Sequence, residues 1–183
     1  MRITILNGNP NSKNYLFDEY VNNIAGLLKS KNNTVDVILL RERNLQYCLG
    51  CFDCWLKTPG ECVMRDDSRD ICRKYINSDF VLFASPIISG FSSALLKKTQ
   101  DKLIPLLHPY FEIMGGEFHH MRRYKRYPSL GLLLEKNTGV DEENINIISN
   151  IYSRIALKFK SKLRFLKFIT DAPQEVVNEI GCN

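Results

Sequence analysis

The chain has 183 residues, 44% of them hydrophobic and 25% charged, and its formal net charge is +5. This length suits one domain, and this composition excludes intrinsic disorder, which needs low hydrophobicity and high net charge. No apolar run approaches the roughly 20 residues of a membrane-spanning helix, and the first residues lack the apolar stretch of a signal peptide. The basic residues accompany no nucleic-acid-binding motif. We therefore expect a cytoplasmic protein without a nucleic-acid or membrane partner.

Short apolar runs and amphipathic segments alternate along the chain, which predicts alternating strands and helices. The predicted strands are residues 2–6, 34–40, 80–84, 129–134 and 163–169. The first predicted helix follows Ser12 as its N-cap. The second runs from the capping residues Asp66 and Asp67 to residue 76. The other helices are predicted over residues 92–107, where Pro105 bends or ends the helix, over 141–158, and after Pro173.

Strands that alternate with helices pair in parallel, because each return to the sheet needs a crossover. Five such strands in one domain predict a three-layer α/β fold of flavodoxin type, with sheet order 2-1-3-4-5 and helices on both faces. Residues 1–183 then form a single domain, with a cysteine-rich loop at 45–65 and a long irregular loop at 109–128.

In an open parallel sheet of this order, ligands bind outside the carboxyl ends of the first and third strands. Residues 8–14 follow the first strand with small polar side chains and amides at a helix start, where a phosphate binds well. This loop has neither the GxGxxG nor the GxxxxGK(S/T) pattern, so one phosphate fits better than a pyrophosphate. Residues 85–90 follow the third strand, and their proline, apolar side chains and Gly90 suit a flat aromatic ring.

Three segments of the sequence carry recognisable motifs, namely ILNGNPNSKN, CLGCFDCWLKTPGECVMRDD and SDFVLFASPIISGFSSALLKKTQDK. Over roughly residues 1–135 the chain resembles the flavodoxin-like NAD(P)H-dependent FMN reductases, nearest their cysteine-containing branch, which includes the iron–sulfur flavoproteins. The resemblance implies non-covalently bound FMN, NAD(P)H as co-substrate, and a homodimer or homotetramer. By position, it implies that the phosphate is held by Asn9, Asn11, Ser12 and Asn14, and that the isoalloxazine is faced by Pro86, Ile87, Ser89 and Gly90.

Two features depart from that family pattern. The phosphate loop reads NPNSKN, where family members usually have a serine and an arginine around the proline. Residues 135–139, EKNTG, are not the aromatic–glycine turn that many members place against the flavin, so no flavin contact is predicted there.

Four of the six cysteines lie close together in the sequence, as Cys48, Cys51, Cys54 and Cys62. A disulfide is disfavoured in a reducing cytosol, and zinc usually takes two separated CxxC units. Consecutive C-x2-C-x2-C lets one loop bind three corners of a [4Fe–4S] cluster, with a fourth thiolate from nearby. A cluster, zinc, and unmetallated or redox-active thiols all stay open as alternatives. Trp55 is predicted to anchor this loop by packing, and the isolated thiols of Cys72 and Cys182 are predicted to act as small apolar groups.

His119 and His120 precede the fourth predicted strand, either as surface residues or at a substrate entrance or subunit contact. No set of nucleophile, base and orienting group is evident, which agrees with chemistry carried out by a cofactor. We predict an FMN-dependent oxidoreductase in which NAD(P)H reduces a flavin, quinone, other small acceptor, redox protein or Fe–S cluster. The rivals are a non-enzymatic carrier like flavodoxin and a redox-sensing domain that has lost flavin. Flavodoxins are typically acidic, so the pI of about 8.9 disfavours the carrier.

Overall fold

The structure, a computed structural model, describes residues 1–181, so that Cys182 lies outside the described residues. The strands are β1 (Arg2–Asn7), β2 (Thr34–Leu39), β3 (Phe80–Ile88), β4 (Phe91–Ser92), β5 (Leu107–Met114), β6 (Glu117–Arg122), β7 (Ser129–Glu135) and β8 (Leu163–Phe168). The α-helices are α1 (Tyr15–Ser30), α2 (Asp53–Leu56), α3 (Ser68–Ile76), α4 (Ala94–Asp101), α5 (Glu142–Lys158) and α6 (Pro173–Gly181).

The central sheet confirms the predicted flavodoxin-type fold. Strands β2, β1, β3, β7 and β8 pair in parallel in this order, so that β7 and β8 are the fourth and fifth strands of the predicted order 2-1-3-4-5. The short strand β4, which was not predicted, adds an antiparallel pair at the end of β3. Strand β3 is buried from Phe80 to Ile87, because it lies mid-sheet with helices on both faces.

Two apolar clusters cover the two faces of this sheet. One face packs against α3, α4 and α5, through side chains that include Tyr75, Leu96 and Tyr152. The other face packs against α1 and α6, through side chains that include Phe17 and Val176. No helix within residues 1–181 is long and apolar enough to cross a membrane.

Two helices begin or end at residues that differ from the prediction. The prediction of Ser12 as N-cap is wrong, because α1 begins at Tyr15 and Oδ1 of Asn14 accepts the amide hydrogen of Phe17 at 3.4 Å. Asparagine and serine are about equally good caps, so residue type does not distinguish them. Helix α4 ends at Asp101, and Pro105 lies in a separate 3-10 turn. The helix stops short because proline lacks an amide hydrogen and clashes with the preceding turn.

Residues 109–128 are not the irregular loop that was predicted. Much of this segment lies in an antiparallel hairpin of β5 and β6, joined by Gly115 and Gly116 with φ of 58° and 83°. A type I′ hairpin turn needs positive φ at both central residues, which glycine adopts without strain. The Gly-Gly pair is therefore the hairpin signal in this part of the sequence.

Gly131 in β7 lies where two aromatic rings leave no room for a side chain. A Cβ there would lie 2.7 Å from Cζ of Phe165 and 2.9 Å from Cζ of Phe80, and the two rings stack with centroids 5.8 Å apart. We expect Gly131→Ala to lower the free energy of unfolding by about 1–3 kcal/mol, the usual cost of overpacking a core. Urea denaturation measures this change.

The matched control is Gly26→Ala in α1, where a Cβ would meet open space. Because alanine restricts the unfolded chain and suits a helix, this variant should raise the free energy of unfolding by about 0.4–1 kcal/mol. Equal stability of the two variants would contradict the close packing around Gly131.

Candidate functional site

The carboxyl ends of β1, β3 and β7 meet at one edge of the sheet, where hydrogen bonds hold the loop after β1. The amide of Gly8 donates to the carbonyl of Ala84 at 2.8 Å, and Oγ of Ser93 donates to the carbonyl of Gly8 at 2.6 Å. A Cβ at Gly8 would lie only 2.8 Å from Cβ of Leu96. Glycine at this position therefore lets the loop approach the start of α4.

A cavity of about 530 Å³ opens at this edge, and we call it the switch-point cavity. Its walls are residues 87–90, which turn from β3 into β4, residues 137–140 after β7, and Asn144 of α5. Nδ2 of Asn137 donates to the carbonyl of Ile87 at 2.9 Å and so joins the two walls. Three of the four residues predicted to face a flavin ring line this cavity, namely Ile87, Ser89 and Gly90. Pro86 is buried within β3, opposite Glu135 in register.

Residues 137–139 line the switch-point cavity although the sequence pattern predicts no flavin contact for them. Their position carries the missing signal, because they follow the fourth predicted strand of a parallel sheet whose carboxyl ends share one edge. The opposite wall is a tight two-residue turn, with φ of 51° at Ser89 and 77° at Gly90. A Cβ at Gly90 would lie 3.2 Å from Nδ2 of Asn144, so any side chain there crowds the cavity wall.

Asparagine side chains in and just before the predicted phosphate loop accept hydrogen bonds from the amides of the loop. The amides of Asn9, Asn11 and Lys13 donate to the Oδ1 atoms two residues earlier, at 2.9, 3.0 and 3.0 Å. These Asx turns occupy the amides that a phosphate would use. The side chain of Asn9 is buried and donates to the carbonyl of Asn14 at 3.1 Å, whereas Ser12 is exposed.

Two carboxylates flank this loop. Asp18 forms an ion pair with Arg41 at 2.8 Å, so its charge is compensated. Glu135 accepts a hydrogen bond from Nδ2 of Asn14 at 2.6 Å, and no ion pair within the described part of the chain includes it. An anion at the start of α1 would therefore meet a negative charge that no cation offsets.

The two ends of FMN fit this edge of the sheet unequally. The switch-point cavity has room for the ring, and its walls combine apolar groups, amide side chains and peptide groups. At the phosphate end, the first amides of α1, at Tyr15 and Leu16, have no partner within the helix. Access of a phosphate to the amides of Asn11 and Lys13 requires the asparagine side chains to move away. The ring end is therefore preformed, and the phosphate end is not.

A second cavity, of about 350 Å³, is lined by all four clustered cysteines, Cys48, Cys51, Cys54 and Cys62. We call it the cysteine cavity. Cys54 lies in α2 and is buried, whereas Cys48 and Cys51 are exposed. Burial, followed by the thiols of Cys62, Cys48 and Cys51, raises the pKa of Cys54 to about 11. This thiol is therefore protonated at neutral pH unless a metal displaces its proton.

The carboxylates of Asp66 and Asp67 hold the base of the cysteine loop, and Oδ2 of Asp67 accepts the amide hydrogen of Asn44 at 2.9 Å. The Asp66 carboxylate accepts the amides of Gln46 at 2.9 Å and Ser68 at 3.1 Å, and forms an ion pair with Nζ of Lys102 at 3.0 Å. Burial would raise the pKa of Asp66, but hydrogen bonds from Ser68, Gln46 and Lys102 hold it below its usual value. Asp67, predicted as a cap, occupies the N-cap position of α3 without a capping hydrogen bond from its side chain.

The four thiols fit a [4Fe–4S] cluster better than a single zinc ion. Among residues 1–181, no three His, Cys, Asp or Glu side chains are close enough to hold a single metal ion. A zinc ion needs each thiolate sulfur at about 2.3 Å. A [4Fe–4S] cluster takes four thiolates on different iron atoms, so four thiols spread around one cavity fit it in number and chemistry.

Trp55 anchors the cysteine loop, as predicted. Its Nε1 donates to the carbonyl of Leu107 at 2.9 Å, and its ring stacks on Phe52 with centroids 5.4 Å apart. His120 lies between Trp55 and Phe111, at centroid distances of 5.0 and 4.6 Å, and burial lowers its pKa. His120 therefore contributes to packing between the loop and the hairpin and lines neither cavity.

Residues 1–119 match the sequence profile of the NADPH-dependent FMN reductases, which is more than half of the 183-residue chain. The chain belongs to this family. Its fold is shared by an FMN-dependent NADH-azoreductase from Bacillus anthracis in complex with FMN, with a TM-score of 0.62, 14% identity, and coverage of 98% of this chain and 93% of that one. An apo NADH:FMN oxidoreductase, EmoB, gives a TM-score of 0.59, 12% identity, and coverage of 98% and 86%. At such identities, the likeness shows the fold alone.

Curated relatives of this FMN reductase family member are named iron–sulfur flavoproteins. One from Archaeoglobus fulgidus is 33% identical over 81 residues, which cover 44% of this chain and 36% of the relative. One from Methanocaldococcus jannaschii is 30% identical over 109 residues, covering 58% and 53%. The chain therefore spans about half the length of these relatives, or less. The family predicted from the sequence motifs is confirmed.

Proposed function

We propose that this chain is an FMN-dependent oxidoreductase in which NAD(P)H supplies electrons for a flavin, a quinone, another small acceptor or a redox protein. The observation that carries this proposal is the switch-point cavity, whose walls come from the loops after β3 and β7. Ligands of open α/β sheets bind at this place. Membership of the NADPH-dependent FMN reductase family supports the identity of the cofactor and of the electron donor.

FMN, when bound, supplies hydride and electron transfer, and the protein binds and orients it. In the proposed complex, the turn at Ile87, Ser89 and Gly90 faces one part of the ring, and Asn137 and Asn144 face another. Ser12 and the first amides of α1 hold the phosphate, where the helix dipole favours an anion. Asn9, Asn11 and Asn14 shape this loop through their side-chain hydrogen bonds.

We further propose that Cys48, Cys51, Cys54 and Cys62 hold a [4Fe–4S] cluster, which supplies one-electron transfer when bound. Their shared cavity and the C-x2-C-x2-C-x7-C spacing support this assignment. The names of the curated relatives agree with it.

The chain is also proposed to form a homodimer or homotetramer in the cytoplasm. The β5–β6 hairpin supports association because several of its large apolar side chains are exposed, among them Tyr110, Ile113 and Phe118. Contiguous exposed apolar side chains mark surfaces that bind another molecule.

A redox-sensing domain that has lost flavin is the second candidate function. Its support is the phosphate loop, where asparagine oxygens already bind the amides and where Glu135 has no cationic partner among residues 1–181.

Anaerobic purification followed by a visible spectrum and iron and sulfide assays separates these functions. The proposal predicts flavin bands, a broad iron–sulfur shoulder, and about four iron atoms per chain. Flavin bands without iron would overturn the cluster alone. A colourless protein that rejects added FMN would leave the flavin-free domain.

Gly90→Leu should weaken FMN binding at least tenfold, because a side chain at this turn crowds the cavity wall near Asn144. The matched control is Gly116→Leu at the tip of the β5–β6 hairpin. Gly90 and Gly116 are each the second residue of a two-residue turn, with φ of 77° and 83°, so leucine strains both backbones alike. Fluorescence titration with FMN measures the Kd. A wild-type Kd in Gly90→Leu would contradict the proposed ring site.

Glu135→Gln should tighten FMN binding roughly fivefold, because it removes an uncompensated charge worth about 1 kcal/mol at contact range in water. Glutamine keeps an oxygen that accepts the hydrogen bond from Asn14. Riboflavin, which has no phosphate, serves as the control ligand and should bind both proteins equally. An equal gain for both flavins would show that the phosphate does not lie beside Glu135.

Cys54→Ala and Cys62→Ala should each lose most of the iron and acid-labile sulfide, because each removes one cluster thiolate. Cys72→Ala is the control. Cys72 is buried but does not line the cysteine cavity, and burial raises its pKa to about 12. Iron analysis after anaerobic purification measures the effect. Full iron content in both ligand variants would contradict the assigned ligands.

A further inference from the structure

Lys102 carries a buried positive charge in the wall of the cysteine cavity. Its side chain is only 2% exposed and follows directly after α4. The ammonium contacts Oδ2 of Asp66 at 3.0 Å, Sγ of Cys62 at 3.2 Å and Sδ of Met64 at 3.7 Å. A lysine ammonium has three donor hydrogens, so these three acceptors satisfy it.

The ammonium is held in place from two directions. The backbone of Lys102 caps α4, with its amide donating to carbonyls of the last turn, and its carbonyl accepts the thiol hydrogen of Cys72 at 3.3 Å. On the other side, the fully buried Asp66 carboxylate is held by the amides of Gln46 and Ser68. The contact with Cys62 is therefore built into the fold and does not depend on a mobile surface side chain.

Cys62 is the one member of the cysteine set with such a partner. Within residues 1–181, no hydrogen bond reaches the sulfur atoms of Cys48, Cys51 or Cys54. The carbonyl of Cys62 also accepts a hydrogen bond from Nε of Arg69 at 3.0 Å, which fixes the backbone beside the sulfur. The four thiols therefore offer unequal environments to whatever they bind.

Hydrogen bonds to ligand sulfurs and nearby net charge set the reduction potential of an iron–sulfur cluster. A donor with positive charge at the sulfur favours the reduced state, which carries one more negative charge. Although the Asp66 carboxylate offsets part of this effect, the ammonium is the group hydrogen-bonded to the sulfur.

We propose that Lys102 is a positioning residue that raises the reduction potential of a cluster bound by the four cysteines, through its hydrogen bond to Cys62. This inference rests on the proposed function, which assigns the cluster to the cysteine cavity. It gives Lys102 and Asp66 a role in electron transfer although neither is a ligand.

The test compares wild type with Lys102→Met, Lys102→Arg, and the double variant Lys102→Met with Asp66→Asn. The double variant removes both buried charges, so it remains informative if Lys102→Met alone leaves Asp66 unpaired and does not fold. Each protein is purified anaerobically and assayed for iron and sulfide. The midpoint potentials of cluster and flavin are then measured by a redox titration followed by visible and EPR spectroscopy.

At least one of the two proteins, Lys102→Met and the double variant, should keep the wild-type iron content. Their cluster potential should fall by at least about 59 mV, a tenfold change in a one-electron equilibrium. The flavin potential should stay unchanged, and Lys102→Arg should remain closer to wild type. The matched control is Lys31→Met, which removes an exposed lysine that caps α1 as Lys102 caps α4 and that lies outside the walls of the cysteine cavity. Solvent screens this charge, so the cluster potential should not move.

Three outcomes would overturn the inference. An unchanged cluster potential at full iron content would refute the role of Lys102 and leave the cluster intact. Loss of iron from both Lys102→Met and the double variant, while the wild type keeps its iron, would show that Lys102 is needed to form the site. It would then not be a residue that sets the cluster potential. A wild type without iron would refute the cluster itself and the role of Lys102 with it.

Discussion

Parallel pairing of β1, β3 and β7 is the constraint on which the candidate flavin site depends. Because these strands run in the same direction, their carboxyl ends bring residues 8–14, 87–90 and 137–140 to one edge. Hydrogen bonds at Gly8 and Asn137 then fix the distances between these loops. A shift of one residue in the register of any of the three strands would turn every side chain of that strand to the opposite face of the sheet.

The cysteine loop depends on a different interaction, the buried ion pair of Asp66 and Lys102. Helix α4 relates this pair to the flavin edge, because Ser93 before its first residue contacts Gly8 and Lys102 after its last residue contacts Cys62. A helix of eight residues is about 12 Å long, so the two candidate redox sites lie at opposite ends of one short helix. This arrangement gives the proposed cluster and flavin a fixed separation.

The sequence predicted the fold well because its strongest signals were local. Continuous apolar runs such as residues 80–84 predicted the strands. Their alternation with helices predicted the flavodoxin-type order and the edge where the loops meet. The hairpin of β5 and β6 was missed because its Gly-Gly turn lay within a polar, aromatic segment. The contribution of residues 137–140 was missed although their position after the fourth strand signals it. The contact of Lys102 with Cys62 joins side chains 40 residues apart, which no local pattern encodes.

At the phosphate loop, too, the sequence predicted the place but not the hydrogen bonds. Its small polar residues predicted an anion site. In the structure, the side chains of Asn7, Asn9 and Asn11 accept hydrogen bonds from the amides that a phosphate would use. Phosphate binding at this loop requires these neutral side-chain contacts to be exchanged for stronger charged ones.

Anaerobic mixing of the FMN-loaded protein with NADPH or NADH, followed at the flavin absorbance, tests the central claim most directly. An oxidoreductase of this family should lose the oxidised flavin bands within seconds with at least one of the two nucleotides. Flavin that binds but is bleached only by dithionite would contradict the enzymatic function and leave a carrier of electrons between other proteins.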